Sequence, residues 1–511
     1  MTKFETLVNL VRSLSISEKK AFKSKYVKKK AKAEYMLLYD TIEQGTDQTP
    51  DAIRNSYLKV CNAVAIETTI KYLFELLLDT LLELRKNQDS FYSLFNKILK
   101  ARVLYEKSLF DECFEVLSAV KKQAKRYENY YAMLLAGRLE LEYLLALNFP
   151  QLDEKELLQK QFELNESLKF LRKVNEQASL YEILKHRIAY KGYARSIKQK
   201  DALNDLVFSE LSLVASFSPE NFEIAKLHQL FQSSYLISVG DYKSALRSYY
   251  ELNNLLESNK HLWSTPPVYY AHTLEGVLES LRSIRNYEGM GYFISQLQKI
   301  ESNSVEFNIN LTCLIFLYEL FPLIDCGEFK AANEHMLNYK STLYDKFNLL
   351  NMARQAEVCL YTSMIFFGNG EYHKAHKFLS QILIKGKNYF YLPLYRTIRL
   401  FNLMILYKLG DFELIGYEIR SIRRDLSNNP LGYKIERFFL RFLQKEIPVL
   451  SKKKEILWKK INTEFDVIKQ DVFEQQVLHI FDFTAWVQSI LTNKSLSEVL
   501  SQKSDVVATK Y

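Results

Sequence analysis

A short turn recurs along the chain at almost even intervals: Gly240-Asp241-Tyr242, Asn286-Tyr287, Gly327-Glu328-Phe329, Gly370-Glu371-Tyr372 and Gly410-Asp411-Phe412. Its aromatic positions lie 45, 42, 43 and 40 residues apart. Each copy offers a residue that accepts a left-handed backbone after one helix, an acidic or amide residue able to cap the next, and a ring that packs between the two. In three of the five, alanine stands three places after the ring (Ala245, Ala332, Ala375), where a small side chain lets neighbouring helices approach closely. A fixed period of this length constrains the fold more than any other feature, because a single helical pair cannot bury its own apolar face and must stack on the next. The spacing predicts an all-α chain, a right-handed α-solenoid of helical pairs.

A length of 511 residues exceeds what one hydrophobic core organises. The composition selects a helical array, since 14 Gly and 9 Pro are too few for the turns of a β-rich protein. The cysteines (Cys61, Cys113, Cys313, Cys326, Cys359) are odd in number, form no Cys-x-x-Cys pair and lie mostly in apolar stretches, which fits a reduced, cytoplasmic protein. The apolar run at residues 7–11 is too short for a signal-peptide core. The most apolar internal stretch, residues 311–324, is interrupted by Glu319 and Pro322, so no membrane span is expected.

Residues 1–90 read as a basic N-terminal helical cap, 91–450 as tetratricopeptide-like helical repeats, 451–500 as a C-terminal helical cap and 501–511 as a mobile tail. The period implies about eight helical pairs. Ser15-Ile16-Ser17-Glu18 and Ser495-Leu496-Ser497-Glu498 predict capping boxes. Thr49-Pro50, Ser218-Pro219, Thr265-Pro266 and Asn429-Pro430 predict helix starts, and Pro322 a kink. Ser108-Leu109-Phe110 reads as a degenerate first copy of the turn, 132 residues before Tyr242, which places two irregular turns near Asp153 and Asp201.

This turn pattern is similar to that of tetratricopeptide repeats, whose second helix opens on a Gly-Asp-Tyr type turn with a small residue three places on. The period here is longer than the usual ~34 residues. At the two ends, residues 13–22 (Ser13-Leu14-Ser15-Ile16-Ser17-Glu18-Lys19-Lys20-Ala21-Phe22) and Phe483-Thr484-Ala485-Trp486-Val487-Gln488-Ser489, followed by Lys494-Ser495-Leu496, resemble those of an uncharacterised bacterial family of long tetratricopeptide-like helical-repeat proteins. The resemblance implies the architecture and brings no known activity.

No Gly-x-x-x-x-Gly-Lys-[Ser/Thr], Gly-x-Gly-x-x-Gly, His-Glu-x-x-His or Gly-x-Ser-x-Gly motif occurs, so neither an enzyme nor a cofactor is expected. His373 and His376 lie on one helix face without a third ligand near them in sequence, and no metal is expected. Residues 1–35 hold ten Lys and Arg against three Glu, most of the net charge of +9. Within them Lys19, Lys20, Lys23, Lys25, Lys28, Lys29, Lys30 and Lys32 surround one helix, either as a solvated face or as a contact for nucleic acid or another acidic partner.

The 34 Tyr and 33 Phe should fill repeat junctions, with some tyrosines lining an inner groove. Three trios at helical spacing are candidate groove faces: His228, Gln232 and Tyr235; Arg354, Glu357 and Tyr361; Tyr395, Arg399 and Asn402. The expected role is a non-enzymatic scaffold or adaptor that holds a protein or peptide partner in the groove. The alternative is a nucleic-acid-associated regulator that uses the lysine-rich N-terminal region, with the solenoid as sensor.

Overall fold

The four glycines of the recurrent turn adopt φ of +80° (Gly240), +79° (Gly327), +79° (Gly370) and +77° (Gly410), the left-handed region in which a Cβ is penalised. Each closes its helix with the same two bonds. At the first turn, the Gly240 amide donates to the Ile237 carbonyl at 3.1 Å and the Asp241 amide to Leu236 at 3.0 Å; at the third, Gly327 donates to Ile324 at 3.0 Å and Glu328 to Leu323 at 2.7 Å. Asp241 and Asp411 then accept the amides of Ser244 and Leu414, capping the next helix. In the second copy Arg285 takes the glycine's place at φ +58°, and Asn286 caps by accepting the Gly289 amide.

The computed structural model describes residues 2–26, 33–45, 49–61, 66–86, 89–215, 221–386, 393–428 and 433–508, and every regular element among them is a helix. The expected helix starts at Ser218-Pro219 and Asn429-Pro430 lie outside the described residues. Two compact units divide the chain, Met1–Leu171 and Arg172–Tyr511.

In the first unit α1 (Lys3–Ser13), α2 (Ile16–Tyr26), α3 (Glu34–Gln44), α4 (Pro50–Val60) and α5 (Ile66–Arg85) enclose a core that includes Leu7, Phe22, Tyr39 and Leu73. The Ser15 capping box is formed: Glu18 accepts the Ser15 amide at 2.8 Å and Ser15 Oγ accepts the Glu18 amide at 3.2 Å. Helices α6 (Ser90–Glu106), α7 (Phe110–Arg126) and α8 (Tyr130–Ala146) pack in succession around Ile98, Cys113, Leu117, Ala132 and Ala136. Their turns use non-glycine residues in the left-handed region, Ser108, Glu128 and Asn148. Helix α9 (Glu154–Lys191) begins after the expected break at Asp153 and continues across the unit boundary.

The second unit continues with α10 (Ile197–Asp201) and α11 (Asn204–Val214), then five pairs joined by the recurrent turn. These are α12 (Phe222–Ser238) with α13 (Tyr242–Ser258), α14 (Val268–Ser283) with α15 (Met290–Gln298), α16 (Val305–Asp325) with α17 (Phe329–Asn338), α18 (Met352–Gly368) with α19 (Tyr372–Ile384), and α20 (Pro393–Leu409) with α21 (Phe412–Asn428). Helices α14, α16, α18 and α20 also pack on one another, so the first members form a layer of their own. Ala245, Ala332 and Ala375 are fully buried, and Ser363 Oγ donates to the Ala375 carbonyl at 3.0 Å, a close approach of α18 and α19 that small residues permit. Phe412, at the end of the series, is 62% exposed where the other rings of the turn are covered or half-covered. Pro322 lies inside the continuous α16. Among the described residues α16 alone is long and apolar enough to cross a membrane, and its Leu314, Phe316, Leu317 and Leu320 are buried in the core.

Helices α22 (Lys434–Phe442), α23 (Ser451–Gln470), α24 (Val472–Leu478), α25 (Phe483–Thr492) and α26 (Leu496–Ala508) complete the unit; residues 509–511 of the expected tail lie outside the described residues. Residues 472–500 touch more than the last pair. They run back along the turns: Gln476 Nε2 donates to the Ala194 carbonyl at 3.1 Å, Val472 lies against Gly240, and Ser497 Oγ donates to the Gly327 carbonyl at 2.6 Å.

Gly368 is dictated by space rather than by a positive φ. A Cβ at Gly368 on α18 would stand 2.0 Å from the Phe329 ring on α17. Gly368→Ala is therefore expected to cost about 1–3 kcal/mol through overpacking. Calorimetric melting tests this, and a variant that melts with the parent would mean that the ring swings aside freely.

Candidate functional site

The layer of first helices carries charge where a core helix should be apolar. On α14, His272, Glu275, Gly276, Glu279 and Arg282 recur at intervals of three and four and so share one face. That face lines a cavity of about 440 Å³ in the second unit. Arg354, Glu357 and Tyr361 of α18 join it at the same spacing, with Tyr318 and Phe321 of α16 between them. Gly276 has a steric reason: a Cβ there would lie 2.1 Å from the Tyr249 ring, which covers α14 at the cavity wall. The end of α9 supplies Lys185, and the segment after it Tyr193 and Arg195; α20 supplies Arg396, and Gln476, Val477, His479 and Ile480 form a further side.

The charges are mostly paired within the wall. Arg354 donates to Glu275 at 2.5 Å and to Glu357 at 2.7 Å. Burial would push the Glu275 carboxyl up, but the Arg354 and His272 charges outweigh it and hold it well below the usual carboxylate range. Arg282 forms a bidentate pair with Asp325 at 3.0 and 3.1 Å, donates to Tyr361 Oη at 3.1 Å, and lies 3.6 Å from the centroid of the Phe321 ring. Arg396 pairs with Glu436.

Of the cavity carboxylates, Glu279 has no arginine partner among the described residues. Burial, reinforced by the like charges of Glu275 and Glu357, outweighs the opposing Arg282 charge and pushes it up to about 7. Its Oε1 stands 2.7 Å from His479 Nε2, whose own pKa burial and the Arg282 and Arg285 charges drive well below the ordinary imidazole value. The opposite shifts mean that a proton shared by the pair sits on the carboxyl rather than on the imidazole. Ser283 Oγ is 3.3 Å from His479 Nδ1, yet it donates to the Glu279 carbonyl at 2.8 Å, so its proton is committed away from the imidazole. This arrangement speaks against a Ser-His-Glu nucleophile.

The three trios fall in three places. Arg354, Glu357 and Tyr361 line the cavity. Tyr395, Arg399 and Asn402 are buried away from it, and Arg399 instead holds α21 through Glu418 at 2.6 Å, Ser421 at 2.8 Å and Asp425. The cavity is lined from α20 by Leu394, Arg396 and Thr397 instead. His228 and Gln232 both bind Glu210 of α11, the latter at 2.8 Å, and Tyr235 packs in a separate small core with Leu184 and Leu206; Ser234 and Ile237 face the cavity instead. A step of one residue turns a helical side chain by about 100°, and spacing alone does not separate the inner face from a helix junction.

In the first unit Lys19 is half-buried, Lys20 is exposed, and Lys23 pairs with Glu43 at 2.5 Å. Lys28, Lys29 and Lys30 lie outside the described residues. No group of three or more His, Cys, Asp or Glu side chains among the described residues is placed to hold a metal ion. Sequence reasoning missed Lys185, Tyr193, Glu279, Arg282 and His479. The available signal was the run His272 to Arg282, four ionisable residues at helical spacing in an otherwise apolar helix. Comparison of the chain with family models, with curated proteins and with solved structures gives no match.

Proposed function

We propose that the helical pairs form a right-handed, tetratricopeptide-like α-solenoid that acts as a non-enzymatic scaffold, its inner cavity holding a segment of a peptide or protein partner. The observation that carries this reading is the cavity itself. Its volume of about 440 Å³ falls within the roughly 300–1,000 Å³ of specific ligand sites. Its wall combines rigid tyrosines, whose hydroxyls burial keeps protonated, with fixed ion pairs that can align a polar backbone without being reorganised. Apolar Ile237, Leu317 and Phe321 complete the lining and suit side chains of mixed character.

A steric block tests the reading. Ala353 lines the cavity from an exposed position on α18, so Ala353→Trp should fill the space at little cost to the fold. The tagged full chain, incubated with native lysate after nuclease treatment, is expected to retain a discrete protein or peptide, and the variant to retain at least tenfold less. Equal retention by both would remove the cavity from the interaction. Recovery that disappears with nuclease would favour the nucleic-acid alternative, in which Lys19 and Lys20 remain available while Lys23 is already neutralised by Glu43.

A further inference from the structure

The cavity's charged groups differ in one respect that bears on the chemistry of its occupant. Arg282 is met by Asp325, Arg354 by Glu275 and Glu357, and Arg396 by Glu436. Lys185 has no carboxylate within ion-pair distance among the described residues, although it lines the same cavity and stays accessible from it. The Glu275 charge reaches it, but that carboxylate is bound at 2.5 Å by Arg354. Partial desolvation at the cavity wall pulls the Lys185 ammonium below the ordinary lysine range, against the opposing Glu275 charge, while the side chain stays exposed.

Two hydroxyls add donors that the protein leaves unused. Tyr193, eight residues along from Lys185, is half-buried in the wall, and its Oη has no hydrogen-bond partner among the described residues. Tyr361 Oη accepts from Arg282 at 3.1 Å, and its own hydrogen is given to no acceptor among the described residues. Both tyrosines line the cavity, so a bound acceptor can take their hydrogens. Glu279, whose pKa burial raises to about 7, opposes an incoming negative charge less than an ordinary carboxylate would.

We propose that the cavity takes the free C-terminal carboxylate of a short peptide, with Lys185 as its counter-charge and the Tyr193 and Tyr361 hydroxyls as donors. This rests on the peptide-scaffold reading and narrows its ligand. Every donor is neutral or cationic, and a carboxylate supplies only acceptors, so the match requires no proton transfer.

The test uses the full chain and a pool of synthetic tetra- to hexapeptides, offered once with free C-termini and once as C-terminal amides. Retained peptides are separated with the protein by gel filtration and identified by mass spectrometry. Free acids should be retained at least tenfold better than the matching amides. Lys185→Met should abolish that preference, leaving acids bound no better than amides, and Tyr193→Phe should reduce it several-fold. The acid-versus-amide comparison on the parent chain needs no variant, so a misfolded variant does not blunt it. Equal retention of acids and amides would overturn the carboxylate assignment and leave the peptide reading standing. Retention of neither would overturn both, and displacement of the acids by acetate or inorganic phosphate at low concentration would reassign the site to a free anion.

Discussion

Asp325→Ala should destabilise the second unit by about 3–5 kcal/mol, the usual cost of stripping one partner from a buried ion pair. Asp325 closes α16 and accepts both Arg282 bonds as well as the Tyr287 hydroxyl at 3.1 Å. The Arg282 side chain is only 2% exposed. Without the carboxylate its charge retains the Tyr361 oxygen and the Phe321 face, neither of which neutralises it. Urea unfolding followed by tryptophan fluorescence measures the loss. The double change Arg282→Met with Asp325→Leu should recover most of it, because apolar replacements remove the buried charge along with its partner. A single variant that unfolds with the parent would mean that water already reaches the pair.

Trp486→Ala is expected to cost a similar amount, about 3–5 kcal/mol, through the cavity it leaves. The indole is wholly buried on α25, with ring centroids 5.5 Å from Tyr407 of α20 and 5.3 Å from Phe439 of α22. These contacts tie residues 472–500 to the helical pairs. Amide hydrogen exchange should therefore show protection lost first in α24 to α26, with α14 to α18 retaining theirs. A loss spread evenly over the unit would show that the C-terminal helices and the pairs unfold as one body.

The recurrent turns were legible because their chemistry is local: glycine where φ is positive, a cap, a ring and a small residue. The same reasoning fails where another residue accepts the left-handed conformation. Glu128 at φ +47° and Asn148 at φ +57° end helices in the first unit without the signature, whereas Arg285 at φ +58° stands in for glycine in a copy that Asn286-Tyr287 still marks. The candidate site was legible in part. Arg354, Glu357 and Tyr361 line the cavity, whereas Arg399 has the same polar spacing and faces a helix junction. Glu279 and His479 are 200 residues apart in the chain, and neither the pairing nor its effect on the proton between them leaves a mark in local sequence.

The return of residues 472–500 along the turns also sets an order of events at the ribosome. Tyr361 emerges 115 residues before Gln476, a delay of roughly 6–23 s at ordinary elongation rates. Through that interval the nascent chain can assemble Arg282, Asp325 and Tyr361, all of them upstream, while Glu279 waits for His479 and the rings of Tyr407 and Phe439 wait for Trp486. The cavity wall is thus completed from downstream, and the growing chain passes through a stage in which its aromatic surface is uncovered before the cavity is formed.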